Sequence, residues 1–412
     1  MSYTNSTLSV QLQWMFSHYK SICSPGWIMA FTIRVVVVLH LLIIIIMSLL
    51  LLQADAQKLL IKLEERKMKK CGINRIYQFG DSLSDTGNCL RETYCRAHSG
   101  CRFPPYGMNF YQKAVTGRCS NGLLMIDFIA LECDLPLLNP SLEENADFSH
   151  GANFAVSGAT ALSVESLAKK KIHMSYTNST LSVQLQWMSF HFNSVCSTDC
   201  PKYLENSLFL VGEIGGDELT YGLNQGKTME ELRRMVPVIV HAIIRGVRRV
   251  ISFGATRIVV PGNIPAGCNP VILTIFGTRP STTYDEYGCV KEWNNFMMYY
   301  NNYLKRGIHM LKREYPNISI IYGDYYNAYL WLRQNVVALG FDKNFVLKPC
   351  CEIGGDYNYR EDMKCGDPGV EACADPNIYI SWDGLHLTQR AYSWLTKWLI
   401  DDIIPQLNCP EK

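Results

Sequence analysis

Arg75-Ile76-Tyr77-Gln78, running into Phe79-Gly80-Asp81-Ser82-Leu83-Ser84-Asp85-Thr86-Gly87-Asn88, decides the reading of this chain. The stretch ending at Phe79 has the pattern of a strand. Behind Gly80 comes a run of Ser, Asp, Gly and Asn, which bond local backbone and tolerate unusual dihedrals. A strand that stops in such a loop exposes a serine hydroxyl at the edge of a sheet, and Ser82 stands at that point. Far along the chain, Asp383-Gly384-Leu385-His386 sets a carboxylate three residues before an imidazole. Serine, histidine and aspartate are the parts of a nucleophilic relay.

Working outward, apolar β-branched runs alternate with helical patterns. Strands are expected at Arg75–Phe79, Ala152–Val156, Ser207–Ile214, Arg257–Val260 and Ile318–Tyr322. Helices are expected at Asn121–Cys133, Leu181–Phe192, Thr228–Ser252, Glu292–Glu314 and Leu387–Ile404. The alternation is that of a parallel sheet covered on both faces. Ligands then bind beyond the carboxyl ends of the strands. Ser82, Gly158 and Asp217 each follow an expected strand and should gather at that edge, within reach of Asp383 and His386.

The chain has 412 residues, 48% of them hydrophobic and 18% charged, so it can bury a large core. A net charge of +2 without long basic runs gives no electrostatic support for nucleic-acid binding. HExxH and paired CxxC motifs are absent, so no metal site is expected. The 16 cysteines are scattered. Groups such as Cys89, Cys95 and Cys101, or Cys350, Cys351, Cys365 and Cys373, read as loop disulfides of open connectivity in a secreted protein.

Val35 to Leu52 is nearly continuous apolar sequence after Arg34, followed by the small-x-small triplet Ala54-Asp55-Ala56. This is the pattern of a signal peptide over 29–56, in preference to a membrane anchor, so no stable span is expected after cleavage. Residues 1–15 repeat 174–188 letter for letter, and the likeness extends over 1–28 and 174–197. One near-perfect copy ahead of a signal peptide reads as an anomalous extension, with Met29 a natural start. One domain is expected over 57–412. Asn178-Ser179-Thr180 and Asn317-Ile318-Ser319 are glycosylation sequons, which fit the secretory route.

A serine hydroxyl needs a base, and the base needs an orienting group. His386 can take the proton of Ser82, and Asp383 can fix the tautomer of His386. Backbone N–H groups of Ser82 and Gly158 can hold the resulting oxyanion. The decapeptide Phe79–Asn88 resembles the first block of the plant GDSL esterase/lipase family, within the SGNH hydrolases. Asn153-Phe154-Ala155-Val156-Ser157-Gly158-Ala159-Thr160 resembles its second block, and Asp383-Gly384-Leu385-His386-Leu387-Thr388 its last. Gly117-Arg118-Cys119-Ser120-Asn121-Gly122 and Val260-Pro261-Gly262-Asn263 are also similar to plant members. The resemblance implies a flavodoxin-like three-layer α/β/α fold with a five-stranded parallel sheet. It also implies an enzyme of the extracellular space, cell wall or vacuole that hydrolyses small-molecule or lipid esters without cofactor or metal, with oligomeric state left open.

One position departs. The family's third block carries an asparagine whose amide donates to the oxyanion, whereas this chain reads Gly215-Gly216-Asp217-Glu218. An ionised carboxylate accepts and cannot donate, and loss of one donor costs about 10²–10³ in rate. A protonated Asp217 would still donate, which requires a raised pKa. The departure leaves open a weakly active or non-catalytic binding protein, and the shared acyl-enzyme leaves open an acyltransferase. For the N-terminus, sequencing of the natural protein should return a first residue near Gln57; Met1 or Ser2 would overturn the signal-peptide reading.

Overall fold

The computed structural model describes residues 67–277 and 279–409; the expectations placed on 1–28 and 29–56 lie outside the described residues. Five strands form one all-parallel sheet: β1 (Arg75–Phe79), β2 (Gly151–Asn153), β3 (Ser207–Val211), β4 (Arg257–Pro261) and β5 (Ser319–Gly323). Their order is β2-β1-β3-β4-β5. Tyr77 pairs with Ala152 on one side and Phe209 on the other, which fixes the register of the centre.

Alternate side chains divide the strands between two cores, as the strand period of two requires. Tyr77, Phe79, Phe209, Val211, Ile258 and Val260 face one layer. There they pack on helices α2 (Leu181–Val195), α4 (Met229–Ile251) and α6 (Lys291–Glu314). Ile76, Leu208, Leu210, Val259 and Ile321 face the other layer. Their partners are α1 (Met125–Glu132), α7 (Tyr325–Gln334) and α8 (Gln389–Ile403). Each such Leu, Ile or Phe contributes about 1.5–3 kcal/mol on full burial. Two further helices, α3 (Asp217–Asn224) and α5 (Pro270–Gly277), lie in the sheet-edge loops and were not read from sequence. Both are short, and the periodic signal over eight residues is weak.

β2 is shorter than expected, ending at Asn153. Asn153 turns its own side chain into the loops: its Nδ2 donates to the Ser84 carbonyl and its Oδ1 accepts from the Ala155 N–H. The Phe154 and Val156 N–H groups still donate to the carbonyls of Gln78 and Gly80, so the edge stays tied to β1. β3 stops at Val211, and Gly212 follows at φ +126°, a conformation that other residues rarely adopt.

The chain enters and leaves the sheet through one tie, the Cys71–Cys409 disulfide. Six more disulfides close loops: 89–95, 101–119, 196–200, 268–289, 350–373 and 351–365. Cys101 thus pairs with Cys119 rather than within its own sequence cluster. Cys133 is the free, buried thiol among the described residues. The segment 174–188 is built into the molecule. Gln184 accepts from the Gly80 N–H through Oε1 and donates to the Gly80 carbonyl through Nε2.

Arg118 holds the loop ahead of α1 in a buried bidentate pair with Asp127, Nε to Oδ2 at 2.8 Å and Nη2 to Oδ1 at 2.7 Å. Its Nη1 also donates to the Thr86 carbonyl, in the loop behind β1. Removing one partner of a buried pair strands the other charge. Arg118→Ala should therefore cost about 3–5 kcal/mol in denaturant-induced unfolding. A loss below about 1 kcal/mol would show the pair to be dispensable.

Candidate active site

Parallel strands deliver their carboxyl ends to one edge, and the order reverses between β1 and β3, where a crevice opens. The loop behind β1 fills one side of it. Asp85 shapes this loop: its carboxylate accepts from the N–H groups of Gly87, Asn88 and Cys89, and from the N–H and hydroxyl of Ser157. The loops behind β1 and β2 are thereby joined through one side chain. Asp81 caps its own turn by accepting from the Leu83 N–H.

Ser82 emerges between these anchors. Its Oγ lies 2.8 Å from His386 Nε2, and His386 Nδ1 lies 2.6 Å from Asp383 Oδ2. The residues separated by 304 positions in sequence thus meet at hydrogen-bond distance. Asp383 Oδ1 accepts from the N–H groups of Leu385 and His386, and Oδ2 also accepts from the Tyr106 hydroxyl at 2.7 Å. All four contacts favour a charged carboxylate. Burial opposes that charge, yet His386 and these donors hold Asp383 below the usual carboxylate range. Burial likewise opposes an imidazolium, but Asp383, and then Asp217, hold His386 above its ordinary value. Tyr106 went unread in the sequence, because nothing around Pro104-Pro105-Tyr106 marks a phenol aimed at a carboxylate.

Gly158 sits across from Ser82 at φ +80°. A Cβ there would lie 2.7 Å from both Tyr176 Cβ and the Tyr221 hydroxyl, so only glycine fits. The Tyr221 hydroxyl donates to the Gly158 carbonyl at 2.8 Å and steadies that peptide. Asp217 opens α3 and lines the same cleft as Ser82, Gly158 and His386. The cleft has a volume of about 550 Å³. Its lining includes the apolar side chains of Leu223, Ile272, Ile275, Trp293 and Met297. The expected sequon residues Asn178 and Asn317 are both exposed. No cluster of metal-ligating side chains occurs among the described residues.

The GDSL-like lipase/acylhydrolase family profile matches residues 76–399. An acetylajmalan esterase 1 from Rauvolfia serpentina is 43% identical over 346 residues, covering 82% of this chain and 89% of the relative. Acetylajmalan esterase 2 from the same plant is 42% identical, covering 82% of this chain and 92% of that protein. A GDSL esterase/lipase from Arabidopsis thaliana is 40% identical, again covering 82% and 92%. The chain belongs to the GDSL lipase/acylhydrolase family, and it is a carboxylic ester hydrolase with the α/β/α fold of that family.

Beneath the serine lies a feature that the sequence did not reveal. Asp81, Glu213, Asp217 and Glu218 converge from the loops behind β1 and β3 and from the start of α3. Burial raises all four; Glu213 is pushed to about 8 and Glu218 to about 7. Such groups keep protons in the folded state that the unfolded chain releases near pH 4–5. Their stabilisation is complete below that range and is lost as pH rises through the folded values. His386, also raised, has the same sign. Asp383 has the opposite sign, but its contribution is lost only below about pH 4, outside this window. The melting temperature should therefore be higher at pH 5.5 than at pH 8, by a few degrees or more as an order of magnitude. An equal or higher value at pH 8 in a thermal melt would refute the assignment.

Proposed function

We propose that this ester hydrolase is a secreted serine enzyme that works through an acyl-enzyme on Ser82. The observation that carries the reading is the continuous chain from Ser82 Oγ to His386 Nε2, and from His386 Nδ1 to the fully bonded carboxylate of Asp383. Ser82 Oγ attacks the ester carbonyl while its proton passes to His386 Nε2. Asp383 holds the tautomer and stabilises the imidazolium. The oxyanion is held by the backbone N–H groups of Ser82 and Gly158. Collapse expels the alcohol, which takes the proton from His386, and water then repeats the cycle on the acyl group.

Secretion is supported by seven disulfides among the described residues, since such bonds form and persist in oxidising compartments. The exposed Asn178 and Asn317 are placed for glycans on that route. For the substrate we extend to this chain what the names of the Rauvolfia relatives state, an acetyl ester. The apolar side chains that line the cleft then take a bulky alcohol portion.

Ser82→Ala should lower kcat for a short-chain nitrophenyl ester by on the order of 10⁶, to the background rate. A fluorophosphonate probe should label the natural protein and spare the variant. Undiminished turnover in the variant would overturn the reading.

A further inference from the structure

Asp217 lines the same cleft as Ser82, Gly158 and His386, and burial there disfavours its charged form. Its Oδ2 is buried and has no hydrogen-bond partner among the described residues. No side-chain capping bond is made at the start of α3. From the loop behind β1 it faces Asp81, from the loop behind β3 Glu213, and from its own helix Glu218 and the Tyr221 phenol. From α6 comes the Tyr300 phenol, whose hydroxyl lies 2.2 Å from where a Cβ on Gly215 would stand. Behind β4, Asn263 Oδ1 lies 3.4 Å from the equivalent point on Gly216, and its buried Nδ2 is unpaired. From the loop ahead of α8 comes His386. Among the described residues no lysine or arginine pairs with any of the four carboxyl groups.

A carboxylate whose Oδ2 is buried without a hydrogen-bond partner is an expensive species, and the usual relief is to bind a proton. The partial positive charge at the start of α3 favours ionisation, and burial opposes it. We propose that Asp217 serves as a neutral carboxylic acid that donates to the oxyanion, and that losing this proton switches the enzyme off on the alkaline side. The inference rests on the serine mechanism above and adds a residue and a pH control to it.

The step balances without further reactants. The Ser82 Oγ–C bond forms, the carbonyl π bond becomes the oxyanion, and the serine proton moves to His386 Nε2. Asp217 keeps its own proton and shares it with the oxyanion; a carboxylic acid kept neutral by an apolar site can act in this way. Two protonation states are thus required at once, neutral His386 and neutral Asp217. Burial raises Asp217 to about 7, with His386 pulling the other way, which puts the alkaline limb close to neutrality.

The test is the pH profile of kcat for a nitrophenyl ester, from pH 5 to 9, on the natural protein and on Asp217→Asn. Initial rates are taken at 25 °C, with reversibility checked by return to pH 6. The natural protein should lose about tenfold in kcat per pH unit above neutrality, because a single proton controls the step. Asp217→Asn, an uncharged donor of the same size, should lose this limb and hold its rate to pH 9. Asp217→Ala should fall by about 10²–10³ below the Asn variant at every pH. The proposal is overturned if the Asn variant keeps the alkaline limb, if the natural protein shows none, or if the Ala variant equals the Asn variant. Fluorophosphonate labelling at pH 6 separates the two levels. A labelled serine with a flat profile removes the role of Asp217 alone; an unlabelled Ser82 removes the serine mechanism and this inference with it.

Discussion

The carboxylate of Asp85 binds two loops into one. By accepting from Gly87, Asn88 and Cys89 on its own loop and from Ser157 on the next, it fixes how far apart the ends of β1 and β2 can stand. Ser82 lies on the first loop and Gly158 on the second, so this distance is also the width of the space for a reacting carbonyl. Asn88 and Asn153 repeat the tie through side-chain amides bonded to carbonyls of neighbouring loops. Gln184 closes the third side by pairing with both backbone groups of Gly80. Each partner is buried, where an unmade bond costs about 1–3 kcal/mol, so the arrangement resists loosening. Little freedom is left to the serine, which is what attack geometry requires.

Electrostatics divides this edge into two halves. On the side of Asp383 the charged carboxylate is favoured, because the Tyr106 hydroxyl, two backbone N–H groups and His386 Nδ1 converge on it. Facing the other side, four carboxyl groups share a buried space with few donors, and burial pushes them toward the neutral form. The same chemical group is thus pushed in opposite directions on either side of one imidazole. Hydrogen-bond donors make the difference, since the low dielectric alone raises every carboxylate. The disulfides around Cys101, Cys119, Cys350, Cys351, Cys365 and Cys373 cluster with Tyr106 and Trp382 beside the charged half. They give rigidity to the loops that carry Tyr106 and Asp383, where no strand or long helix does so.

Much of the fold was legible because it obeys local rules. Residues 208–211, 258–260 and 320–322 carry continuous apolar runs, and strands buried on both faces leave that trace. The helices over 229–251 and 291–314 are long enough for periodicity to stand out. The end of β2 was misread because Val156 looks like strand, while the Asn153 side chain decides where the strand stops. Helices over 217–224 and 270–277 are too short to leave a periodic signal. In the site, Ser82, Gly158, Asp217, Asp383 and His386 stood out through motifs of adjacent residues. Tyr106 and the acids Asp81, Glu213 and Glu218 did not, since what distinguishes them is a neighbour distant in sequence.

By itself the sequence determined the parallel layered fold, the position of a serine at a strand end, and a histidine with its aspartate three residues away. Those are consequences of local pattern: apolar runs, turn residues and short spacings. Only the tertiary structure decided which donors reach Asp383, which cysteines pair, and what surrounds Asp217. Charge state depends on burial and on partners that the chain brings together across hundreds of residues. An aspartate in place of an asparagine reads in sequence as a lost donor. In the folded protein, the Oδ2 of that aspartate is buried without a partner among three other carboxyl groups.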